Sequence, residues 1–285
     1  MKYYVLFNPK ANNGMGRETA ETVQEKIDGE CVFQDITEII DYKTFFEKLP
    51  LEDEVIICGG DGTLNHFINQ TKDLKLERKL AYYASGSGND FLRDVADNKK
   101  EKISLNEYLC KLPSVKVQGK EYLFINGVGY GIDGYCCEEG DRIRAKKTGK
   151  KINYTGIAIK GLLFKYKPTG ATVIVDGEEH RYKKVWLAPT MYGRYYGGGM
   201  LPAPNQRRDN PENKLSTMVF HDSGKLKTLL IFPGIFKGEH VKKTKNVEVL
   251  SGHKITVKYD EPRALQIDGE TILNVSEYTA TSANT

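Results

Sequence analysis

The sequence lacks any apolar run long enough to cross a membrane as a helix. Its longest near-apolar stretch, residues 229–236, is interrupted by Pro233 and Gly234, whereas a spanning helix needs about 20 apolar residues. Residues 1–9 are short and strand-like and carry no secretory signal pattern. We therefore expect a cytoplasmic protein, with peripheral contact at the inner face of the membrane as an open alternative.

Paired cysteines and the common nucleotide-loop signatures are also missing. The five cysteines form no CxxC pair, which favours reduced thiols over a disulfide framework or a zinc site. The P-loop pattern GxxxxGK[ST] and the protein-kinase signatures are absent. A GxGxxG pattern occurs at residues 129–134, but no acid follows about 20 residues later, so we do not interpret it as a dinucleotide site.

Charge is unevenly distributed along the chain. Residues 1–118 carry 16 Lys and Arg against 20 Asp and Glu, and residues 119–285 carry 26 against 18. A basic half can face nucleic acid, an anionic membrane or a polyphosphate. No recognition-helix, zinc-finger or RNA-binding aromatic signature accompanies this charge, so we expect no nucleic-acid partner.

The chain is long enough for two domains. In residues 1–118, strand-like runs at 3–7, 31–36, 54–58 and 79–84 alternate with helix-compatible stretches, which predicts a doubly wound α/β domain with a parallel sheet. Residues 119–285 contain β-branched and aromatic runs between turn residues, which predicts a mainly antiparallel β-sandwich. A return of the last strand to the first domain, and a homodimer, are left open.

A polar segment follows each of the four predicted strands of the first domain. Asn8 follows the first strand, Thr37 the second, residues 59–65 the third and residues 85–90 the fourth. Ligands of an open parallel sheet bind beyond the carboxyl ends of its strands. We therefore expect the four segments to lie at one edge of the sheet.

The third segment carries the strongest chemical signal, Gly59-Gly60-Asp61-Gly62-Thr63-Leu64-Asn65. Its glycines let backbone N–H groups approach phosphate oxygens closely, and Thr63 is a candidate cap for the helix that follows. A carboxylate beside phosphates is repulsive unless a cation or a hydrogen bond offsets it. Asp61 therefore indicates a magnesium nucleotide or, alternatively, a capping role in a tight turn.

Four motifs occur in chain order: Asn8-Pro9, the segment 59–65, Ser85-Gly86-Ser87-Gly88-Asn89-Asp90-Phe91, and Asp268-Gly269-Glu270. Together they resemble the diacylglycerol kinase catalytic family, which includes soluble bacterial diacylglycerol kinases and is related to sphingosine kinases and more distantly to NAD kinases. An NAD kinase is expected to have an Asn-Glu pair near Asn126, but in this chain Gly127 follows Asn126.

The resemblance implies an ATP- and Mg²⁺-dependent lipid kinase whose first domain, like that of NAD kinases and phosphofructokinases, binds the nucleotide and whose second domain binds the lipid. The expected reaction converts diacylglycerol to phosphatidic acid. An NAD kinase-like phosphotransferase and a catalytically weak nucleotide-binding regulator are the alternatives. The implied nucleotide-binding positions are Asn8, Thr37, Gly59, Gly60, Asp61, Gly62, Thr63, Leu64, Asn65, Ser87 and Asn89, and the implied catalytic residues are Asp61, Asp268 and the proton acceptor Glu270.

The residues alone do not single out Glu270. Asp-Gly is also the strongest short signal of a β-hairpin turn, and the chain has it twice, before Glu178 and before Glu270. The residue pattern alone predicts a hairpin turn at each of these two positions rather than a catalytic site. Only the resemblance selects the second turn as catalytic.

The family's magnesium-binding segment corresponds here to residues 209–215. Asn213 stands where the family has Asp, with Asn210 and Leu215 at the flanking ligand positions. A neutral amide binds a hard cation more weakly than a carboxylate does, and Asp209 or Glu212 is an alternative ligand. We expect Mg²⁺ to arrive with ATP in either case.

Residues 142–167 carry nine Lys and Arg and no acid, and they end in an apolar cluster, Leu162-Leu163-Phe164. Such a segment is typical of a surface that binds anionic lipid. It is equally typical of a solvated helix that packs its apolar side on the domain. Both interpretations stay open at the level of sequence.

Overall fold

Pro113 stands at the junction of two units with different architectures. In the computed structural model, which describes residues 1–86, 88–96, 102–146 and 152–283, the chain divides into Met1–Leu112 and Pro113–Thr285. Residues Ser114–Val117 fall inside the range predicted for the first domain, but they form a strand of the second unit's sheet.

The first unit is an α/β domain with a parallel sheet, as the sequence predicts. Its strands are β1 (Lys2–Phe7), β2 (Glu30–Asp35), β3 (Glu54–Gly59), β4 (Leu80–Ala84) and β5 (Lys102–Ser104). Its helices are α1 (Gly16–Glu21), α2 (Tyr42–Glu47), α3 (Asp61–Thr71), α4 (Asp90–Ala96) and α5 (Asn106–Leu109), with 3-10 turns at Asn12–Gly14, Gln24–Lys26 and Ile36–Glu38. In the described residues the strand order is β2-β1-β3-β4-β5, and only β5 is antiparallel.

Both faces of this sheet are buried, because its central strands are apolar at successive positions. Val5 and Ile56 pack on one face with Val23, which follows α1. Ile57, on the other face, is also fully buried. On that side, the rings of α2 pack edge-to-face against Phe67 of α3. Helical layers on both sides of a parallel sheet define the doubly wound arrangement.

The strand order reverses direction between β1 and β3. The chain passes from β1 to β2 on one side and then returns to place β3 on the other side of β1. Open α/β sheets bind ligands at such a switch point, beyond the carboxyl ends of the strands. The segments that follow β1 and β3 therefore occupy the position where a ligand is expected.

The second unit is built on an antiparallel sheet, again as predicted. Its strands are β6 (Ser114–Val117), β7 (Lys120–Leu123), β8 (Gly127–Tyr130), β9 (Thr169–Val175), β10 (Glu178–Val185), β11 (Thr190–Met191), β12 (Leu215–Phe220), β13 (Val247–Gly252), β14 (Lys254–Ile267) and β15 (Glu270–Thr281). Within the described residues, they form one continuous set of pairings. The last strand, β15, pairs with β14 and β6 of this unit.

The long strand β14 bends this sheet. Its residues 255–259 pair with β9, whereas residues 265–267 pair with β8. The register with β15 shifts between these two stretches, near Pro262. Strands that change partners through a bulge form the corners at which β-sheets fold over into layers.

Helical segments cover part of the second sheet. They are α6 (Ile132–Ala145), α7 (Tyr154–Lys160), a π-helix (Gly161–Lys165), α8 (Lys225–Ile231) and 3-10 helices at Phe232–Lys237 and Glu239–Lys242. Leu162 and Ile231 from this layer join Trp186 and Phe220 from the sheet in one buried cluster. In the part of the chain that the structure describes, no helix is long and apolar enough to cross a membrane.

Candidate functional site

The strand ends of the first sheet bring the four predicted polar segments to one edge. Phe7 pairs with Asp35 of β2 and with Cys58 of β3, and Gly59 pairs with Ala84 of β4. The segments that follow these strands therefore leave the sheet side by side. This part of the sequence prediction is confirmed.

Asp61 connects two of these segments. Its carboxylate oxygens accept hydrogen bonds of 3.0 Å from the backbone N–H groups of Asp90 and Phe91, the first residues of α4. A carboxylate at a helix N-terminus accepts hydrogen bonds from amides that have no partner within the helix, and its negative charge interacts favourably with the positive end of the helix dipole. Asp61 thus holds α4 against the start of α3. Of the two sequence interpretations of Asp61, this geometry supports the capping role.

The glycines at this edge allow the two loops to touch. A Cβ on Gly86 would lie 2.4 Å from the Cα of Gly60, and one on Gly59 would lie 2.5 Å from the Thr63 side chain. Ser85 also donates its backbone N–H to the Gly59 carbonyl at 2.9 Å. Any side chain at these glycines would push apart the segments that Asp61 holds together.

Helix α3 begins earlier than the predicted cap at Thr63. The N-cap residue is Gly60, and no side chain caps the helix. Thr63 lies in the first turn and is buried against Gly59 because glycine leaves room for it. The α3 N-terminus therefore presents backbone rather than a capping side chain, which is the arrangement that binds anions in other α/β proteins.

The remaining predicted nucleotide-binding residues differ in their surroundings. Leu64 and Asn65 are buried within α3, and Asn65 accepts a hydrogen bond from the Asn69 side chain. Asn89 adopts a left-handed conformation (φ 49°) just before α4. Leu64 and Asn65 thus lie on the packed side of the helix. Ser87 lies outside the described residues.

Asn8 and Thr37 sit in tight turns at the same edge. The Asn8 side chain accepts the backbone N–H of Lys10 at 2.9 Å. The backbone carbonyl oxygen of Asn8 would lie 1.9 Å from a Cβ on Gly16. Helix α1 can therefore approach this turn only because residue 16 is glycine. The Thr37 hydroxyl donates to Asp35 at 2.7 Å. Both polar side chains are fixed by local hydrogen bonds.

In the second unit, Asp268 anchors the turn between β14 and β15. Its carboxylate accepts three backbone N–H groups, from Ile125 at 2.6 Å, Asn126 at 2.8 Å and Gly127 at 2.9 Å. The side chain is buried, and the residue adopts φ 48°. Asp268 therefore fixes where the Asp268-Gly269-Glu270 turn lies and has its oxygens engaged by backbone amides.

Glu270 is the first residue of β15 and pairs across the turn with Ile267. Unlike Asp268, it is exposed. The turn at Asp176 has the same form, with Asp176 at φ 50° and Glu178 paired with Val175. Asp176 likewise accepts backbone N–H groups, from His253 and Lys254. Both Asp-Gly pairs are hairpin turns, as the sequence pattern predicts. Glu178 therefore has the same local setting as Glu270 and is a matched control for it.

Sequence reasoning missed Arg208, which lies beside the Asp268 anchor. Its guanidinium donates to the Ile125 carbonyl and, at 2.8 Å, to the Asn126 side chain. It also stacks over Tyr192 at 5.2 Å from the ring centroid. A guanidinium next to a candidate catalytic turn is a means of neutralising phosphate charge. No local pattern marked it, because its hydrogen-bond partners are 82 or more positions away.

Asp133 is a second residue that sequence reasoning set aside. A Cβ on Gly129 would lie 1.5 Å from its Oδ2 and 2.5 Å from Gln266 Nε2, so glycine creates the space for both side chains. Gln266 in turn accepts the backbone N–H of Gly269 at 2.7 Å. Burial raises the pKa of the Asp133 carboxyl to about 6, although backbone amides, the Tyr196 hydroxyl and Gln266 offset part of this. The 129–134 glycine pattern thus accommodates a buried carboxyl next to the Glu270 turn.

The predicted metal-binding segment already has partners for its donor groups. Asp209 pairs with Arg207 at 2.7 Å, and Glu212 pairs with Lys214 at 2.5 Å. Asn210 Oδ1 accepts the N–H of Glu212. These ion pairs leave the two available carboxylates neutralised.

The remaining ligand positions are also engaged. The Asn213 side chain donates to the Ala283 carbonyl at 2.5 Å, and Leu215 pairs with Gly252 at the start of β12. Among the described residues, no group of three or more His, Cys, Asp or Glu side chains could hold a metal ion. The donor set does not fit a resident Mg²⁺ ion in this segment.

Replacing Asp133 by Asn should change the pH dependence of stability. The raised pKa means that the folded state disfavours ionisation, so the wild type loses stability as the pH rises from about 4 through about 6. A shift of this size corresponds to at most about 3 kcal/mol. Thermal unfolding of both proteins from pH 4 to pH 8 should show the Asp133→Asn variant gaining relative stability up to pH 6 and no further above it. Parallel curves would contradict the assignment.

Magnesium without nucleotide should not stabilise the protein. Because the segment 209–215 satisfies its own polar groups, EDTA and millimolar Mg²⁺ should give the same melting temperature, whereas an ion bound only by the folded state would raise it. Differential scanning fluorimetry with Asn213→Asp as a comparison measures this. A Mg²⁺-dependent increase in the wild type would show that the segment does bind the ion.

Comparisons with known proteins agree with the architecture. The model described as the diacylglycerol kinase catalytic domain matches residues 2–116, and the model described as the YegS C-terminal NAD kinase beta sandwich-like domain matches residues 126–281. Together they account for both units in order.

Two curated relatives illustrate the similarity. The chain is 21% identical over 304 residues to "Putative lipid kinase YtlR" of Bacillus subtilis, covering 94% of this chain and 93% of the relative. It is 27% identical over 197 residues to "Diacylglycerol kinase" of Mycobacterium tuberculosis, covering 66% of this chain and 62% of the relative.

A solved structure shares the fold. It is titled as a putative diacylglycerol kinase from Bacillus anthracis, with a TM-score of 0.65 and 21% sequence identity, covering 99% of this chain and 92% of that one. The order of the two domains, their sheets and the matched models lead to one conclusion. The chain belongs to the family of proteins that join a diacylglycerol kinase catalytic domain to a YegS C-terminal NAD kinase beta sandwich-like domain.

Proposed function

We propose that the protein is an ATP-dependent lipid kinase that transfers the γ-phosphate of MgATP to a lipid hydroxyl, with diacylglycerol as the acceptor and phosphatidic acid as the product. The observation that carries the proposal is the pair of glycine loops, after β3 and β4, that Asp61 holds together at the carboxyl edge of the first sheet. The names of the relatives, lipid kinase and diacylglycerol kinase, support a lipid acceptor.

In this proposal the first unit holds the triphosphate of MgATP. The α3 N-terminus has no side-chain cap, so its first amides and the helix dipole can receive phosphate oxygens. Asn8 and Thr37 lie at the same edge and supply polar contacts to the nucleotide. Mg²⁺ enters as part of the substrate and neutralises the charge that develops on the phosphates.

Glu270 takes the role of general base. As the lipid hydroxyl oxygen forms a bond to the γ-phosphorus, the bond from that phosphorus to the β-phosphate bridging oxygen breaks and ADP leaves. The hydroxyl proton passes to the Glu270 carboxylate. A positioned base contributes about 10²–10⁴-fold to such reactions. Asp268 acts as a positioning residue, because its three amide contacts fix the turn that carries Glu270.

The geometry at Gly127 argues against an NAD kinase. A Cβ there would lie 2.7 Å from Met191 Sδ and 3.0 Å from the Thr190 carbonyl. A glutamate after Asn126 would therefore require Met191 and the Thr190 carbonyl to shift.

Asp61→Ala should weaken both stability and nucleotide binding. Losing a helix cap costs about 1 kcal/mol, and release of α4 should separate the loops and lower MgATP affinity about tenfold or more. Asp41→Ala is the matched control, because Asp41 caps α2 through Lys43 and Thr44. Calorimetric titration with MgATP should show a loss only for Asp61→Ala. Equal affinities for the two variants would remove Asp61 from the nucleotide site.

Glu270→Gln should abolish turnover while leaving MgATP binding intact. The amide keeps the size of the side chain but cannot accept the proton, so kcat should fall about 10²–10⁴-fold. Glu178→Gln makes the same change in the other Asp-Gly hairpin and should leave turnover unchanged. Lipid-dependent ADP release measures both variants. A loss of activity in Glu178→Gln alone would reverse the assignment.

A further inference from the structure

Three large apolar side chains of the second unit's helical layer are almost fully exposed. Leu226 and Leu230 of α8 are 77% and 83% exposed, and Phe164 of the π-helix is 73% exposed. Leu226 and Leu230 are four residues apart and therefore lie on one side of α8. Single exposed leucines are common, but clustered ones mark interaction surfaces.

The two helices that carry these side chains adjoin each other. Lys225 of α8 donates its Nζ to the carbonyl of Leu163, the residue before Phe164, at 2.9 Å. The opposite sides of both helices are already packed, since Leu162 and Ile231 belong to the buried cluster. The exposed residues are thus additional to the core and lie on two adjoining helices. We call them, together with the exposed lysines of these two segments, the α7–α8 surface.

The two chain segments that carry these side chains have charge of a single sign. Residues 152–168 and 223–238 contain no Asp or Glu. Every lysine in these two segments is exposed, and Glu239 is the first acid that follows. The lysines are Lys160, Lys165, Lys167, Lys225, Lys227 and Lys237.

Acids on the neighbouring helix offset only a small part of this charge. Helix α6 packs against α7 and the π-helix, and it carries Glu138, Glu139 and Asp141. Arg142 pairs with both glutamates, and Arg144 pairs with Asp141. Arg142 and Arg144, which the sequence placed in a basic run, are therefore neutralised within α6, whereas the α7–α8 surface keeps its excess of lysine. Lys147, Lys150 and Lys151 of that run lie outside the described residues.

We propose that the α7–α8 surface docks the protein onto an anionic lipid bilayer. Leucine and phenylalanine side chains enter the boundary between headgroups and acyl chains, and the surrounding lysines contact anionic headgroups. The combination of protruding apolar groups with one sign of charge fits this partner. A buried contact between two copies of the chain would bring like-charged lysines together, which is unfavourable.

The consequence for catalysis rests on the proposed function. A lipid kinase must reach an acceptor that resides in the bilayer, and docking through the second unit would hold the enzyme at that surface. Binding to vesicles and turnover are separate measurements. The docking surface and the kinase activity can therefore fail independently.

The test is flotation of the full chain with vesicles of phosphatidylcholine alone and of phosphatidylcholine containing about a third phosphatidylglycerol. Wild-type protein should float with the anionic vesicles, less so in high salt, and not with phosphatidylcholine alone. The double variant Leu226→Ser/Leu230→Ser should reduce the bound fraction about tenfold or more. Lys227→Glu/Lys237→Glu should do the same.

The matched control is Ile40→Ser/Leu51→Ser, which removes two exposed apolar side chains of the first unit. It should float like the wild type. All variants should retain turnover of a short-chain diacylglycerol dissolved as monomers, which shows that they are folded. The docking variants should at the same time turn over vesicle lipid slowly, and this difference assigns their defect to the docking step. If no lipid is phosphorylated but flotation behaves as stated, only the kinase proposal fails.

Two results would overturn the docking surface. One is anionic-vesicle binding that the Leu226→Ser/Leu230→Ser change does not affect. The other is a concentration-dependent dimer in analytical ultracentrifugation that this double variant abolishes, which would assign the patch to a second copy of the chain. Circular dichroism of each variant confirms that a loss of binding is not a loss of folding.

Discussion

The hydrogen bonds that the first amides of α4 donate to the Asp61 carboxylate hold the proposed nucleotide-binding edge together. Gly60 and Gly86 can approach within backbone contact only because neither carries a side chain, and Asp61 fixes the two helices that follow them. The same carboxylate that would repel a bare phosphate is engaged by helix amides. An acid can therefore stand in a glycine loop that is proposed to bind phosphate without opposing that ligand with its full charge.

Much of the first unit was predictable because its signals are local. The four parallel strands begin and end within one residue of their predicted limits, since continuous apolar runs followed by Gly, Asn or Asp mark buried strands and their ends. The helix start at Asp61 was missed. A threonine in a first turn has the same sequence signature as a capping threonine, and only the steric fit of Thr63 against Gly59 separates the two.

The second unit was less accessible to sequence reasoning because its contacts are distant. Asp268 is joined to residues 125–127 across more than 140 positions, and Arg208 meets the same segment across more than 80. The glycine pattern at 129–134 joins β8 to α6. Its physical purpose, to make space for the buried Asp133 carboxyl and for close approach of α6 to β14, appears only in three dimensions.

Phosphoryl transfer from MgATP to a lipid hydroxyl is the reaction on which the proposed function depends. The most direct measurement incubates the pure protein with ATP labelled at the γ-phosphate and with mixed micelles of diacylglycerol, phosphatidylglycerol or a sphingoid base, with NAD in a parallel reaction. We expect label in the organic phase, greatest with diacylglycerol, and none on NAD. Label on NAD, or hydrolysis of ATP with no labelled lipid from any micelle, would contradict it.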